Sequence, residues 1–150
     1  MSEHTKAEFK AFREQTGFTH QDIARIMDVR QRSVERWESP AYPTYHAPQD
    51  AWDILEDALR LQQAGVESAL AIVEEWHERA DKEPREVTLI YWQSEDDYRE
   101  HHSPADGGSW RQANANSRAT YAALTALGYS ARFVPSDSKG KYSIASEIDA

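Results

Sequence analysis

Four arginines, Arg25, Arg30, Arg32 and Arg36, fall within twelve residues of one another. Guanidinium groups at that density suit a polyanion, because each carries a permanent charge and a fork of N–H donors matched to phosphate oxygens. The overall charge points the other way, since the 150-residue chain has a net charge of −9. Its distribution resolves the conflict. Residues 1–45 hold seven Lys/Arg and seven Asp/Glu, whereas the remaining 105 hold ten basic and 19 acidic residues. The arginines therefore lie in a neutral segment. The acidic remainder is expected to face away from a polyanion and to weaken non-specific attraction to it.

Other chemistries find little support. The chain has no cysteine, so disulfides and thiolate metal sites are excluded. His101 and His102 with Asp106 are too weak a pattern for a metal site, because adjacent histidines at a helix end point different ways. Serine, histidine and aspartate are all present, but no G-x-S-x-G elbow places a serine for nucleophilic attack. No glycine-rich phosphate loop occurs. Neither enzyme activity nor a cofactor is expected. No apolar run approaches the ~20 residues that span a bilayer. The opening residues, MSEHTKAEFK, lack the apolar stretch of a secretory signal. These features predict a cytoplasmic protein.

The arginines must be positioned by short helices. Thr5 and Glu8 form a capping-box pair that opens a first helix, with Phe9 and Phe12 on one face and Gly17 as its left-handed end. Thr19 and Asp22 repeat the pattern. The second helix has Ile23, Ala24 and Met27 as its apolar side. A tight turn at Asp28 and Val29 leads to a third helix from Gln31 to Ser39, with Val34 and Trp37 inward. Pro40 and Pro43 prevent its continuation. Two short helices joined in this way make a helix-turn-helix, and small Ala24 allows their close approach. Spacing alone fits an ordinary helical bundle equally well.

The segment from Thr19 to Ser39, THQDIARIMDVRQRSVERWES, resembles the lambda-repressor and Cro-like helix-turn-helix family. The features shared are the Thr19 cap, Ala24, the Val29 turn and the run Ser33 to Glu38. The likeness extends over roughly residues 5–60 and includes Arg13 and Gly17. One departure is Pro40, which stands where a glycine usually closes the third helix. The resemblance implies that the third helix enters the DNA major groove with its N-terminal residues on base edges. Carried over by position, the base readers are Gln31, Arg32 and Arg36, with Ser33 and Glu35 alongside. Arginine can donate twice to guanine O6 and N7, and glutamine can pair both ways with adenine. Thr19, His20 and Arg30 fall where the family meets phosphates. Arg13 and Glu38 fall where it forms an ion pair.

Beyond a Pro- and Tyr-rich loop, Ser39 to Pro48, helical spacing returns at Trp52, Leu55, Leu59, Val66, Leu70, Val73 and Trp76. Gly65 is a candidate break in that stretch. Val87 to Trp92 reads as a buried strand. Ser94 opens a short helix to His101, with Asp97 completing its cap. Pro104, Gly107 and Gly108 mark a loop. Trp110 to Leu127 reads as a helix burying Ala113, Tyr121, Leu124 and Leu127. Ala131 to Val134 forms a second strand, and Lys141 to Ile144 a weak third.

These elements predict an α+β chain in two parts. Residues 1–83 form a mainly helical, lambda-repressor-like helix-turn-helix domain with a long helical extension. Residues 84–150 form a small strand-helix-strand dimerisation domain with a polar tail. Two strands alone make a marginal sheet, which suggests pairing across a two-fold axis through Val87, Leu89, Tyr91, Trp110 and Phe133. Trp92, Tyr98 and Trp110 would line a ligand pocket or, more simply, fill a core. The order of elements, Asp97-Tyr98-Arg99 and the glycine-containing loop before Trp110 also resemble the anti-CRISPR-associated autorepressors. The function expected is a sequence-specific transcriptional autorepressor that binds a palindromic operator as a homodimer, in a phage or mobile element. Two alternatives stay open. One is an antitoxin-like module whose acidic half binds a partner protein, and the other is a regulator that also binds messenger RNA.

Overall fold

A computed structural model describes residues 4–79, 86–101 and 109–136. The chain is mainly helical with one small parallel sheet, an α+β arrangement. In order, the elements are α1 (Lys6–Thr16), α2 (His20–Met27), α3 (Gln31–Glu38), α4 (Gln49–Arg79), β1 (Glu86–Ile90), α5 (Glu95–His101), α6 (Trp110–Ala126) and β2 (Ser130–Val134). They divide into two compact units, Met1–Arg60 and Leu61–Ala150. Among the described residues no helix is long and apolar enough to cross a membrane.

In the first unit, α1 and α2 both start at full capping boxes. Thr5 and Thr19 accept from the amides of Glu8 and Asp22, and those carboxylates accept from the cap amides in return. Gly17 closes α1 at φ 88°. Asp28 closes α2 in the left-handed region at φ 54°, which an Asx side chain tolerates better than most. The buried faces meet in one cluster built on Phe9, Ile23, Val34, Trp37, Trp52 and Leu55. Phe9 packs edge-on against both Trp37 and Trp52, with ring centroids 6.1 and 5.3 Å away.

The end of α3 differs from a glycine-closed helix. Ser39 is extended at φ −84°, ψ 127°, the conformation imposed on a residue preceding proline. The terminal carbonyls are satisfied from elsewhere. Lys6 Nζ donates to Arg36 O and Trp37 O, each at 3.0 Å, and also to Tyr45 O. An ammonium on the negative end of the helix dipole replaces the glycine cap. Pro40 is accommodated for that reason.

The second unit departs from several expectations. The helix runs unbroken past Gly65, and its later part joins the second unit rather than extending the first. Ala69 and Val73 pack with Val87, Leu89 and Leu124. β1 and β2 pair with each other in parallel, Glu86 opposite Ser130 through Ile90 opposite Val134. Two helices, α5 and α6, lie between them in sequence. Because that pair is buttressed by helix, its existence does not require a second chain. β1 ends at Ile90, short of the expected Trp92. The Trp92 backbone is instead bonded by a buried side chain: Trp92 N donates to Asn114 Oδ1 at 2.7 Å, and Asn114 Nδ2 donates to Trp92 O at 2.8 Å. Leu127, expected in the core, is 65% exposed. It stands at the C-cap of α6, and Gly128 then turns the chain at φ 89° so that Tyr129 packs inward in its place. The expected strand at Lys141 to Ile144 lies outside the described residues, as do Pro104, Gly107 and Gly108.

Candidate nucleic-acid interface

The first unit is locked around one carboxylate. Glu38, at the last turn of α3, accepts from Arg13 Nε and Nη2 of α1, both at 2.9 Å. It also accepts from His20 Nε2 of α2 at 2.7 Å. Arg13 Nη1 donates further to Phe18 O at 3.1 Å. The Arg13 and Glu38 side chains are only 12% and 9% exposed. Burial pushes the Glu38 carboxyl up, but hydrogen bonds and charge from Arg13 and His20 outweigh it and hold the group below its ordinary value. Three helices thus converge on a single anion, which fixes the orientation of α3 relative to α1 and α2.

With Val34 and Trp37 buried, the opposite side of α3 faces solvent. Gln31, Arg32 and Glu35 are exposed, and Ser33 and Arg36 are half-buried. Gln31 Nε2 donates to Glu35 Oε1 at 3.2 Å, a link one helical turn long. Arg30 is the N-cap residue, with no side-chain cap bond, and the first turn of α3 carries no acidic residue. α1 and α2 each place a carboxylate in that turn, whereas α3 places arginines before and within it. Cations at the positive end of a helix are unfavourable, by roughly 0.3–1 kcal/mol each when exposed. Among the described residues, Arg30 and Arg32 make no ion pair that would offset this. The amides at the start of α3 add to the positive end of its dipole.

The residues expected on phosphates divide. Arg30 is exposed and makes no side-chain bond among the described residues. The Thr19 hydroxyl oxygen accepts from the Asp22 amide at 3.0 Å, and the Thr19 amide donates to Asp22 Oδ2 at 2.8 Å, so the backbone donor there is committed. His20 is bonded to Glu38, so its ring serves the scaffold. The positive end of α2 already holds the chain's own Asp22 carboxylate.

Residues expected at a dimer contact also divide. Val87 and Leu89 are 2% and 4% exposed inside the second unit, where they are core. Tyr91 and Phe133 form an edge-on ring pair at 5.2 Å, and Phe133 stacks on Tyr121 at 4.8 Å. Phe133 remains exposed. Trp110 packs against Ile90, Trp92, Tyr98 and Ala113. Trp92 and Tyr98 are buried edge-to-face at 5.2 Å, so these aromatics fill a core. Of the histidine pair set aside as a metal site, His102 and its partner Asp106 lie outside the described residues.

Sequence reasoning missed Lys6, Tyr42, Tyr45 and Asn114. Only the loop tyrosines left a signal, in the spacing of Ser39-Pro40-Ala41-Tyr42-Pro43-Thr44-Tyr45. No protein-family model matches the chain, and no characterised protein matches it in sequence.

Proposed function

We propose that the chain is a sequence-specific DNA-binding regulator of the lambda-repressor-like helix-turn-helix type, in which α2 supports α3 in the major groove. The observation that carries the reading is the start of α3. Arg30 and Arg32 stand exposed and, among the described residues, without an ion-pair partner at its positive end, on a helix whose orientation is locked by the Arg13–Glu38–His20 cluster. Rigid placement matters because base reading needs donors aimed at fixed acceptors. Arg32 and Arg36 then address guanines, Gln31 an adenine, and Arg30 a backbone phosphate, with Ser33 and Glu35 beside them. Thr19 contributes as the cap of α2. Duplex DNA offers dense negative charge to the arginines. As a homodimer, two copies would present two such helices to a palindromic operator, and autorepression is the regulatory role we assign.

Selection of bound duplexes from a random pool tests the reading. Wild-type protein should enrich a palindromic motif containing guanine in each half-site. Arg32→Ala should lose about 5–150-fold preference at one base pair per half-site, the worth of a bidentate contact. Enrichment of no motif, or the same motif at equal strength from Arg32→Ala, would rule it out.

A further inference from the structure

The loop after α3 is built as two consecutive four-residue turns of like composition. Ser39-Pro40-Ala41-Tyr42 closes with Tyr42 N donating to Ser39 O at 3.2 Å, and Tyr42-Pro43-Thr44-Tyr45 with Tyr45 N donating to Tyr42 O at 3.1 Å. Each has proline second, where its fixed φ suits the turn, and tyrosine fourth. Ala41 N adds a bond to Ser39 Oγ at 3.3 Å, and Lys6 ties Tyr45 O back to the end of α3. A segment rich in solvent-facing residues is therefore well braced. What it presents is a pair of rings. Tyr42 and Tyr45 stand edge-on to each other at 5.7 Å, and the Arg36 guanidinium lies over both, 5.0 Å from one centroid and 5.5 Å from the other. Tyr42 and Tyr45 are 37% and 48% exposed, so each stays partly open to solvent beside Arg36. Arg36 Nε is buried and makes no hydrogen bond among the described residues.

We propose that Tyr42 and Tyr45 are positioning residues that hold Arg36 for base recognition and thereby set specificity at the base pair Arg36 reads. This rests on the DNA-binding reading above and assigns the loop a part in it. A free arginine side chain samples many rotamers, and aiming it at a base costs that freedom. Contact with two braced rings restricts it beforehand. Cation–π contact engages the charge without using the N–H donors, which leaves those not covered by the rings free to bond. With Nε covered, the edge left for bidentate pairing is the one formed by the two Nη groups, which matches guanine O6 and N7 end-on.

The test compares Tyr42→Leu/Tyr45→Leu with Tyr42→Phe/Tyr45→Phe in two measurements. In free protein, the Arg36 Nε–H resonance should be displaced by the rings in wild type and in the Phe pair, and should relax in the Leu pair. In competition binding, each single base change is then made in the motif that wild type selects. The Leu pair should lose the preference that Arg36→Ala loses, about 5–150-fold falling toward none, and keep the preference that depends on Arg32. The Phe pair should keep both. The proposal is overturned if the Leu pair retains the Arg36-dependent preference or loses preference equally at every position. It is also overturned if the Phe pair loses as much as the Leu pair, which would assign the effect to the hydroxyls. Should wild type select no motif while the resonance behaves as stated, the DNA-binding reading is what fails, and the positioning role falls with it. A selected motif combined with an undisplaced resonance overturns the positioning role alone.

Discussion

Replacing Glu38 by alanine should unlock the first unit. The carboxylate accepts three hydrogen bonds, two from Arg13 and one from His20. Its removal strands a guanidinium that is only 12% exposed and leaves the His20 ring without its partner. Breaking a buried pair from one side costs about 3–5 kcal/mol, because the remaining charge keeps its desolvation penalty. Arg13 retains its bond to Phe18 O, so the lower end, about 3 kcal/mol, is expected. Native-state hydrogen exchange reads this directly. The most protected amides of α3 should exchange roughly 100-fold faster in Glu38→Ala, at 1.4 kcal/mol per factor of ten. Arg13→Met combined with Glu38→Leu should cost less than the two single changes added together, since no buried charge is then left alone. The same group sets a pH dependence. Its folded pKa is depressed, so its stabilisation is complete above the unfolded value of ~4.3 and is lost as pH falls through the folded value. The gap in stability between wild type and Glu38→Gln should therefore be flat near neutrality and shrink below about pH 4.3. A loss under about 1 kcal/mol in Glu38→Ala, the range of an exposed ion pair, would refute the claim that this cluster orients α3.

Three further outcomes are expected. Gly65→Ala should stabilise α4 by about 0.5–1 kcal/mol, because an added Cβ meets nothing within 4 Å and alanine restricts the unfolded chain; a fall in thermal midpoint would contradict this. Asn114→Ala should destabilise the second unit by about 2–6 kcal/mol in urea unfolding, since it leaves the Trp92 N–H and C=O unpaired in a buried setting, at about 1–3 kcal/mol per orphaned group. Lys6→Met should cost about 1 kcal/mol and increase exchange at the C-terminal turn of α3 more than at its start, since it removes the donor that caps two carbonyls.

Local chemistry was the legible part of the sequence. The capping boxes at Thr5 and Thr19, the left-handed end at Gly17 and the tight turn at Asp28 depend on residues three or four apart, and the structure has all of them where spacing predicts. The Arg13–Glu38 pair was reached only through the family resemblance, since nothing in composition links residues 25 apart. Long-range partners were less visible. The strands near Val87 and Ala131 could be found, but whether they pair with each other or across an axis depends on how α4 and α6 pack. Asn114 lies in an unremarkable helical run, and its two bonds become apparent only once Trp92 is brought beside it. Leu127 was misplaced because helical periodicity was extended one residue past the turn made at Gly128. For the candidate site, the exposed arginines follow directly from the buried phase of Val34 and Trp37. The commitment of His20 to Glu38, and the tyrosine pair over Arg36, required the tertiary arrangement.

Methylation interference on a selected operator duplex tests the central claim most directly. Guanine N7 lies in the major groove and is an acceptor that arginine uses. If Arg32 and Arg36 read guanines, N7 methylation of those bases should block binding by wild type, and Arg32→Ala should become indifferent to one of them in each half-site. Binding that is insensitive to N7 methylation throughout the operator, or an interference pattern identical in wild type and Arg32→Ala, would contradict the placement of α3 in the major groove.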